Sequence, residues 1–289
     1  MTSSRRQILR ITHLHASRLN VGDNALVIST YNEVQRHFNK YNCRFYDVSS
    51  IEYSIPGEPI EGFLPLYEYR KPKHWIKLYR YLLQSRIVLI GGGDLLGSNP
   101  EFLGIALIAR ALGLPVIFYS IGVVLDETSW SLLKDTKLTL SLCNKIIVRE
   151  NESYNELIGI GISPEKVVKA VDIVFTLGAE DENRRIKNSG INIGVSIRPG
   201  GSYREFSEKQ LITMAAALDQ IIEINDVIIT FFSFHKKHNY PNPYLEPFAS
   251  DDDVIEFCIN HMIHRHKVKV YSGDNHPTML IKEFSLNNA

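Results

Sequence analysis

The segment from residue 87 to residue 94 constrains the fold of this chain more than any other part of the sequence. It begins with four apolar residues, Ile87–Ile90, which have the length and character of a strand buried in a parallel sheet. Three consecutive glycines and Asp94 follow. In an open α/β sheet, ligands bind beyond the carboxyl ends of the strands, so a glycine turn there would let the backbone approach a substrate. An ordinary strand-to-helix turn that needs positive φ angles explains the glycines equally well.

Similar apolar segments alternate with helical patterns along the chain. We predict strands over residues 8–14, 43–48, 87–90, 115–120, 145–148, 167–171, 191–197, 227–232 and 268–271. We predict helices over residues 24–38, 75–84, 102–112, 127–142, 152–158, 208–224 and 251–263, and from residue 277. Asp23 or Asn24 is expected to cap the first helix, Trp75 is expected to lie in the core, and prolines make residues 50–73 irregular. The alternation predicts a parallel, doubly wound sheet.

The length of 289 residues favours two domains. Residues 180–189 are charged and poor in apolar side chains, so we place the boundary there. This gives an N-terminal domain over residues 1–180 and a C-terminal domain over residues 190–289. The second has about three strands, fewer than most sheets, so we expect it to be incomplete and the chain to be truncated.

The composition excludes some functions. Lysine plus arginine equals aspartate plus glutamate, at 32 each, so no global field attracts nucleic acid or an anionic membrane. The sequence contains no apolar run of membrane-spanning length. The three cysteines are far apart and are predicted to pack as small apolar side chains in a reducing compartment, which predicts a cytoplasmic protein.

Two arginines follow predicted strands and could hold an anion. A guanidinium offers a planar fork of donors that suits carboxylate and phosphate. Arg198 precedes Pro-Gly-Gly, a bend that could add backbone amides to an anion site. Arg149 could instead form a structural ion pair with Glu150 or Glu152.

Two aspartates follow strands as well. Asp172 is interpreted either as a turn or cap residue or as a ligand. Asp94 could bind sugar hydroxyls or cap the next turn. The glycines before Asp94 match neither the phosphate loop nor the dinucleotide fingerprint, because the required spacing and the Gly-Lys-Ser/Thr sequence are missing.

The histidines of the C-terminal third invite a metal interpretation. They are His235, His238, His261, His264 and His266. No carboxylate completes a familiar zinc spacing, so we predict no metal and interpret the last three as a solvated basic helix end.

Six segments together resemble the polysaccharide pyruvyl transferase family, in the family's order and over nearly the whole chain. They are Asn20–Ala25, Gly91–Leu96, Ser120–Gly122, Arg149–Ser153 with Leu157 and Gly159, Val171–Phe175, and Gly194–Pro199. The resemblance implies two Rossmann-like domains with parallel sheets that face a cleft, as in GT-B glycosyltransferases. It also implies transfer of a pyruvyl group from phosphoenolpyruvate to two sugar hydroxyls, which gives a ketal.

The resemblance also implies a distribution of roles. The N-terminal domain would bind the acceptor, a sugar or lipid-linked oligosaccharide, and the C-terminal domain the donor. Donor-binding residues would be Arg198, Pro199 and Arg149. Acceptor-binding residues would be Asn20, Gly22, Asp23, Gly91, Gly92, Gly93 and Asp94. Gly122, Asp172 and His235 would also line the cleft. No cofactor or nucleic acid is expected, and the sequence leaves contact with a membrane surface and the oligomeric state open.

The chain departs from the family pattern near its end. Family members carry Arg-x-His after a segment like Thr278–Leu286, and that histidine is the expected general acid. The chain ends before it, so we expect weak activity or none. A nucleotide-sugar glycosyltransferase of the GT-B type and an inactive sugar-binding protein are the alternatives.

Overall fold

The computed structural model describes residues 6–15, 21–49, 59–65, 71–96, 100–123, 125, 130–178, 191–197, 207–234, 250–272 and 277. The chain divides into two compact units. The first comprises residues 1–18 and 25–176, and the second residues 19–24 and 177–289. The predicted boundary at residues 180–189 lies outside the described residues.

Within the described residues, the first unit is built on one parallel sheet of seven strands. They are β1 (Gln7–Leu14), β2 (Tyr41–Ser49), β3 (Ile60–Pro65), β4 (Ile87–Leu96), β5 (Val116–Val123), β6 (Lys145–Val148) and β7 (Val167–Lys169). Their order across the sheet is β3-β2-β1-β4-β5-β6-β7. The helices are α1 (Val21–His37), whose residues 21–24 belong to the second unit, α2 (Pro72–Gln84), α3 (Pro100–Ala111), α4 (Trp130–Leu142) and α5 (Asn151–Gly159). Short 3-10 helices cover Pro164–Lys166 and Ile173–Gly178. This arrangement confirms the predicted parallel α/β fold.

Strand β3 corrects the prediction that residues 50–73 are irregular. It pairs in parallel with β2 at the edge of the sheet. Pro59 precedes it and accepts a hydrogen bond from the Phe45 amide at 2.9 Å, while Pro65 is its last residue. An edge strand tolerates proline because one side of its backbone needs no partner strand.

Helix α1 begins at Val21, so Asp23 and Asn24 lie in its first turn and do not cap it, contrary to the prediction. Residues 24–31 are all buried, so this part of the helix is enclosed on every side. Ser29 and Thr30 are satisfied there by donating to the carbonyl oxygens of Ala25 and Leu26, both at 2.7 Å. This stretch of α1 therefore has no solvent-exposed face.

The second unit has a parallel sheet of three strands within the described residues. The strands are β8 (Asn192–Val195), β9 (Ile228–Phe231) and β10 (Val268–Val270), in the order β10-β9-β8. Helices α6 (Glu208–Asn225) and α7 (Asp251–Asn260) accompany them, with a 3-10 helix over Arg265–Lys267. Ser207 caps α6, because its hydroxyl accepts from the Gln210 amide while the Gln210 side chain accepts from the Ser207 amide.

Among the described residues, the buried apolar side chains form three clusters, two in the first unit and one in the second. Each cluster contains one buried cysteine: Cys143 and Cys43 in the first unit, and Cys258 in the second. All three thiols are free, as the sequence predicts.

Candidate functional site

The strand order of the first unit identifies the edge of the sheet where a ligand would bind. From β1 the chain continues to β2 and β3 on one side, and then crosses to β4 and β5 on the other. In open α/β sheets the crevice at such a switch point is the usual ligand site. The carboxyl ends of β1 and β4 therefore mark the candidate site, and the three glycines lie in β4.

The glycines are part of β4 and not of a turn after it, which corrects the prediction. Pairing with β5 continues through Gly93 and Asp94 to Leu96. A Cβ on Gly91 would overlap the Tyr119 carbonyl oxygen and lie 2.7 Å from its ring. Gly92 and Gly93 have φ angles of 82° and 98°, which L side chains rarely adopt. Close packing and backbone conformation thus require the glycines, whether or not a ligand approaches them.

Arg149 and Asp172, predicted separately from two strand ends, meet in the structure. Nη1 of Arg149 donates to Oδ2 of Asp172 at 3.2 Å, and Nε lies 4.0 Å from Oε2 of Glu150. Both side chains of the first pair are largely covered, with 24% and 19% of their area exposed. Arg149 therefore makes the ion pair that the sequence left open, but its main partner is Asp172.

Asp172 also organises the chain that follows β7. Its Oδ1 accepts from the Val174 amide and from the Ser120 hydroxyl, each at 3.1 Å. The Ile173 amide donates to the same Ser120 hydroxyl at 3.1 Å. Asp172 thus has the turn role that the sequence offered as one alternative, and its charge fixes Arg149.

Ser120 is the strained residue of this group. Its φ angle of 48° is uncommon outside glycine and costs on the order of 1–3 kcal/mol. Such outliers cluster at functional sites, where the surrounding structure maintains them. The sequence alone did not identify Ser120 as a site residue, although Ser120–Gly122 is one of the six segments that resemble the family.

A second group of polar side chains is buried beside the switch point. His15 Nε2 is hydrogen-bonded to Asp47 Oδ1 at 2.6 Å, and His13 Nδ1 lies 3.6 Å from the same oxygen. His13 Nε2 is hydrogen-bonded at 2.6 Å to the Tyr119 hydroxyl, which lies 2.8 Å from the Thr30 hydroxyl. A continuous chain of polar groups therefore runs from α1 through β5 and β1 to β2.

This buried group has the donor set of a metal site. One ligand atom from each of His13, His15 and Asp47 lies within 4.8 Å of the others. Two imidazoles and a carboxylate suit zinc or iron. His15 and Asp47 are hydrogen-bonded to each other at 2.6 Å, so the structure shows a hydrogen-bonded network, and the absence of a metal remains a prediction. Alternating histidines at a strand end, His13 and His15, were the available sequence signal because residues i and i+2 share a face.

The remaining predicted residues are distributed as follows. Gly22 and Asp23 lie in the first turn of α1, and Gly122 is buried in β5 opposite Asp94. The side chain of Asp94 is not among the described groups, and four residues lie outside the described ranges: Asn20, Arg198, Pro199 and His235. His261 is hydrogen-bonded through Nδ1 to the Phe257 carbonyl oxygen at 2.8 Å.

The family model for polysaccharide pyruvyl transferase matches residues 20–285, nearly the whole chain. The chain belongs to this family. The match confirms the family to which the six segments pointed and assigns the chain to a transferase family. No curated protein matches the sequence.

Solved structures of sugar-nucleotide proteins share the fold. The UDP-GlcNAc 2-epimerase from Methanocaldococcus jannaschii superposes with a TM-score of 0.60 at 15% identity, over 96% of this chain and 77% of its own. Anabaena Alr3699/HepE in complex with UDP-glucose superposes with a TM-score of 0.55 at 11% identity, over 94% of this chain and 71% of its own. A co-structure of S. aureus MnaA with UDP superposes with a TM-score of 0.54 at 11% identity, over 97% of this chain and 73% of its own. The pyruvyl transferase family member therefore has a GT-B-like fold with parallel sheets.

Proposed function

We propose that this pyruvyl transferase family member moves a pyruvyl group from phosphoenolpyruvate to two hydroxyls of a sugar in a polysaccharide or its precursor. The family match over residues 20–285 is the observation that carries the proposal. The switch-point site and the anchored Arg149 that follows β6 are consistent with it. The proposal places the enzyme in the cytoplasm, where three buried free thiols remain reduced.

The reaction makes definite chemical demands. Protonation of the donor's methylene carbon makes C2 electrophilic, and a sugar hydroxyl adds to it. A second hydroxyl then displaces phosphate, which gives the ketal and inorganic phosphate. One hydroxyl proton balances the proton added to the methylene carbon, and the other leaves with phosphate. A site for this chemistry has to hold a carboxylate and a phosphate, and stabilise the cationic carbon between them.

Arg198 is assigned to the anionic donor because it matches the family's arginine after a strand of the second unit. Arg149 is the second candidate. Its side chain is 24% exposed, and Asp172 holds the guanidinium in one orientation at 3.2 Å. A guanidinium fixed in this way loses little freedom when it binds an anion. The backbone of the three glycines in β4 is assigned to the acceptor.

Calorimetric titration with phosphoenolpyruvate tests the proposal. We expect the full chain to bind the donor and the Arg198→Ala variant to lose at least about tenfold in affinity, because a charge-assisted pair with a buried anion is removed. Arg36→Ala is the matched control, since Arg36 is an exposed arginine that pairs with Glu33 on α1. Absence of donor binding to the unmodified chain, or binding of a nucleotide sugar in its place, would contradict the proposal.

The same titration separates the two roles of Arg149. Asn in place of Asp172 keeps an oxygen for the Val174 amide but removes the charge that competes for Arg149. If Arg149 binds the donor, Asp172→Asn changes the donor affinity by up to about fivefold, the usual value of such a partly covered pair, because the variant removes both the competing charge and the contact that orients the guanidinium. Unchanged affinity in both Asp172→Asn and Arg149→Ala would restrict Arg149 to a structural role.

A further inference from the structure

Helix α2 exposes an apolar stripe. Trp75, Ile76, Tyr79 and Leu83 are 38%, 66%, 48% and 59% exposed. Positions 75, 79 and 83 recur every four residues and position 76 adjoins them, so the four side chains share one side of the helix. This corrects the prediction that Trp75 belongs to the core.

The opposite side of α2 is firmly packed, so the exposed stripe has a fixed direction. The buried residues of the helix are His74, Leu78, Tyr81 and Leu82. The Tyr81 ring stacks on Tyr46 with centroids 4.2 Å apart, and its hydroxyl donates to the Phe63 carbonyl oxygen at 3.3 Å. Because the core already holds this side, the helix cannot turn to bury the stripe.

The charge around the stripe has one sign. Residues 70–86 contain six lysines and arginines and no aspartate or glutamate, in a chain whose total formal charge is zero. Five of the six are described and exposed: Lys71, Lys73, Lys77, Arg80 and Arg86. On the neighbouring strand β3, Glu61 is already paired with Arg10 at 2.9 Å. The segment is therefore a local cationic patch that the net charge conceals.

We infer that α2 is a docking element for an anionic phospholipid surface. A short helix with Trp, Tyr and aliphatic side chains on one side and basic residues beside them lies in the plane of a membrane interface. The 13 residues of α2 span about 20 Å, which suffices for such a contact. Protein interfaces are instead depleted of lysine around their apolar centre, so the three exposed lysines favour a sheet of anionic headgroups over a protein partner.

This inference does not rest on the donor chemistry proposed above. It would bring the first unit, which carries the glycines of β4 assigned to the acceptor, to the surface where lipid-linked sugars are found. Donor binding and vesicle binding are measured separately, so a negative result in one measurement does not contradict the proposal that the other tests.

Co-sedimentation with vesicles tests the inference. The full chain is mixed with vesicles of phosphatidylcholine containing about 30% phosphatidylglycerol, or of phosphatidylcholine alone, at low and high salt. We expect binding to the anionic vesicles that weakens as salt rises. Replacing Lys73 and Arg80 with glutamine should weaken partitioning by roughly 25-fold, since each basic residue near an anionic surface contributes roughly fivefold. Ile76→Asn with Leu83→Asn should weaken it by at least about tenfold.

Matched controls are available in the second unit and on α4. Ile224 and Ile263 are 80% and 82% exposed, so Ile224→Asn with Ile263→Asn removes similar apolar area away from α2. Lys134→Gln with Lys209→Gln removes two exposed charges elsewhere. Both controls should bind vesicles as the unmodified chain does. The inference is overturned if the unmodified chain does not bind anionic vesicles, or if the controls lose as much vesicle binding as the α2 variants. It is also overturned if ultracentrifugation shows a dimer that Ile76→Asn with Leu83→Asn abolishes.

Discussion

At the scale of single residues, the first unit is specified by positions that accept only one kind of side chain. Gly91 lies directly against Tyr119, while Gly92 and Gly93 have positive φ angles. Ser120 has a positive φ without being glycine, and Asp172 and Ile173 hold it with two hydrogen bonds. These constraints lie at the carboxyl ends of adjacent strands, which is the edge where open α/β sheets usually bind ligands.

Alanine at position 91 should destabilise the first unit strongly. Its Cβ would overlap the Tyr119 carbonyl oxygen, which belongs to a paired strand and cannot move freely. We expect the free energy of unfolding, measured with urea, to fall by at least about 2 kcal/mol.

The matched control for this prediction is Gly104→Ala. Gly104 lies within α3, and a Cβ there would meet nothing within 4 Å. Alanine should therefore stabilise the helix by about 0.5–1 kcal/mol. Equal effects of the two substitutions would show that Gly91 is not sterically required.

At the scale of elements, most strands could be predicted because each is a short apolar segment bounded by turn residues. Strand β3 could not, since its prolines are turn signals in any local pattern and only its edge position makes them acceptable. The burial of α1 could not be predicted either, because it depends on what surrounds the helix. Its polar residues Ser29 and Thr30 bond to the helix backbone and are buried there.

The candidate site likewise contains residues that the sequence predicted and residues that it did not. Arg149 and Asp172 were identified because each follows a strand. The buried group of His13, His15 and Asp47 was missed because it depends on the pairing of β1 with β2, where His13 lies opposite Asp47. Such register is a property of the folded sheet and not of either strand alone.

Removing the cap of α6 should lower the free energy of unfolding by a predictable amount. Ser207→Ala leaves the Gln210 amide without the hydroxyl that accepts from it at 3.3 Å, so the free energy of unfolding should fall by about 1 kcal/mol. Thr213→Ala in the same helix removes only an exposed hydroxyl that bonds back to Lys209, and should change stability by less than about 0.5 kcal/mol. Circular dichroism during urea unfolding measures both, and a larger loss for Thr213→Ala would refute the capping role.

At the scale of the whole molecule, the two units have separate apolar clusters and separate parallel sheets. None of the helices within the described ranges is long and apolar enough to cross a membrane.

Alkaline pH should destabilise the folded chain. Burial raises the pKa of the Cys143 thiol to about 12 and that of Cys258 to about 11, whereas the same thiols ionise near pH 8.5 when unfolded. Above that pH the folded state holds more protons than the unfolded state, so the free energy of unfolding falls as pH rises, by about 1.4 kcal/mol per pH unit for each buried thiol. Urea unfolding between about pH 8 and pH 10 measures this slope, which should be smaller in Cys258→Ala. An unchanged slope in that variant would contradict the assignment to this thiol.

The distribution of the thiols gives this protein a property of its own. Because each apolar cluster contains one cysteine, a thiol-specific reagent can modify each cysteine only when the cluster around it opens. Peptide mass spectrometry of the modified chain would then give three local opening rates in one experiment, two from the first unit and one from the second. The unaltered chain thus carries its own site-specific reporters of how each part of the molecule fluctuates.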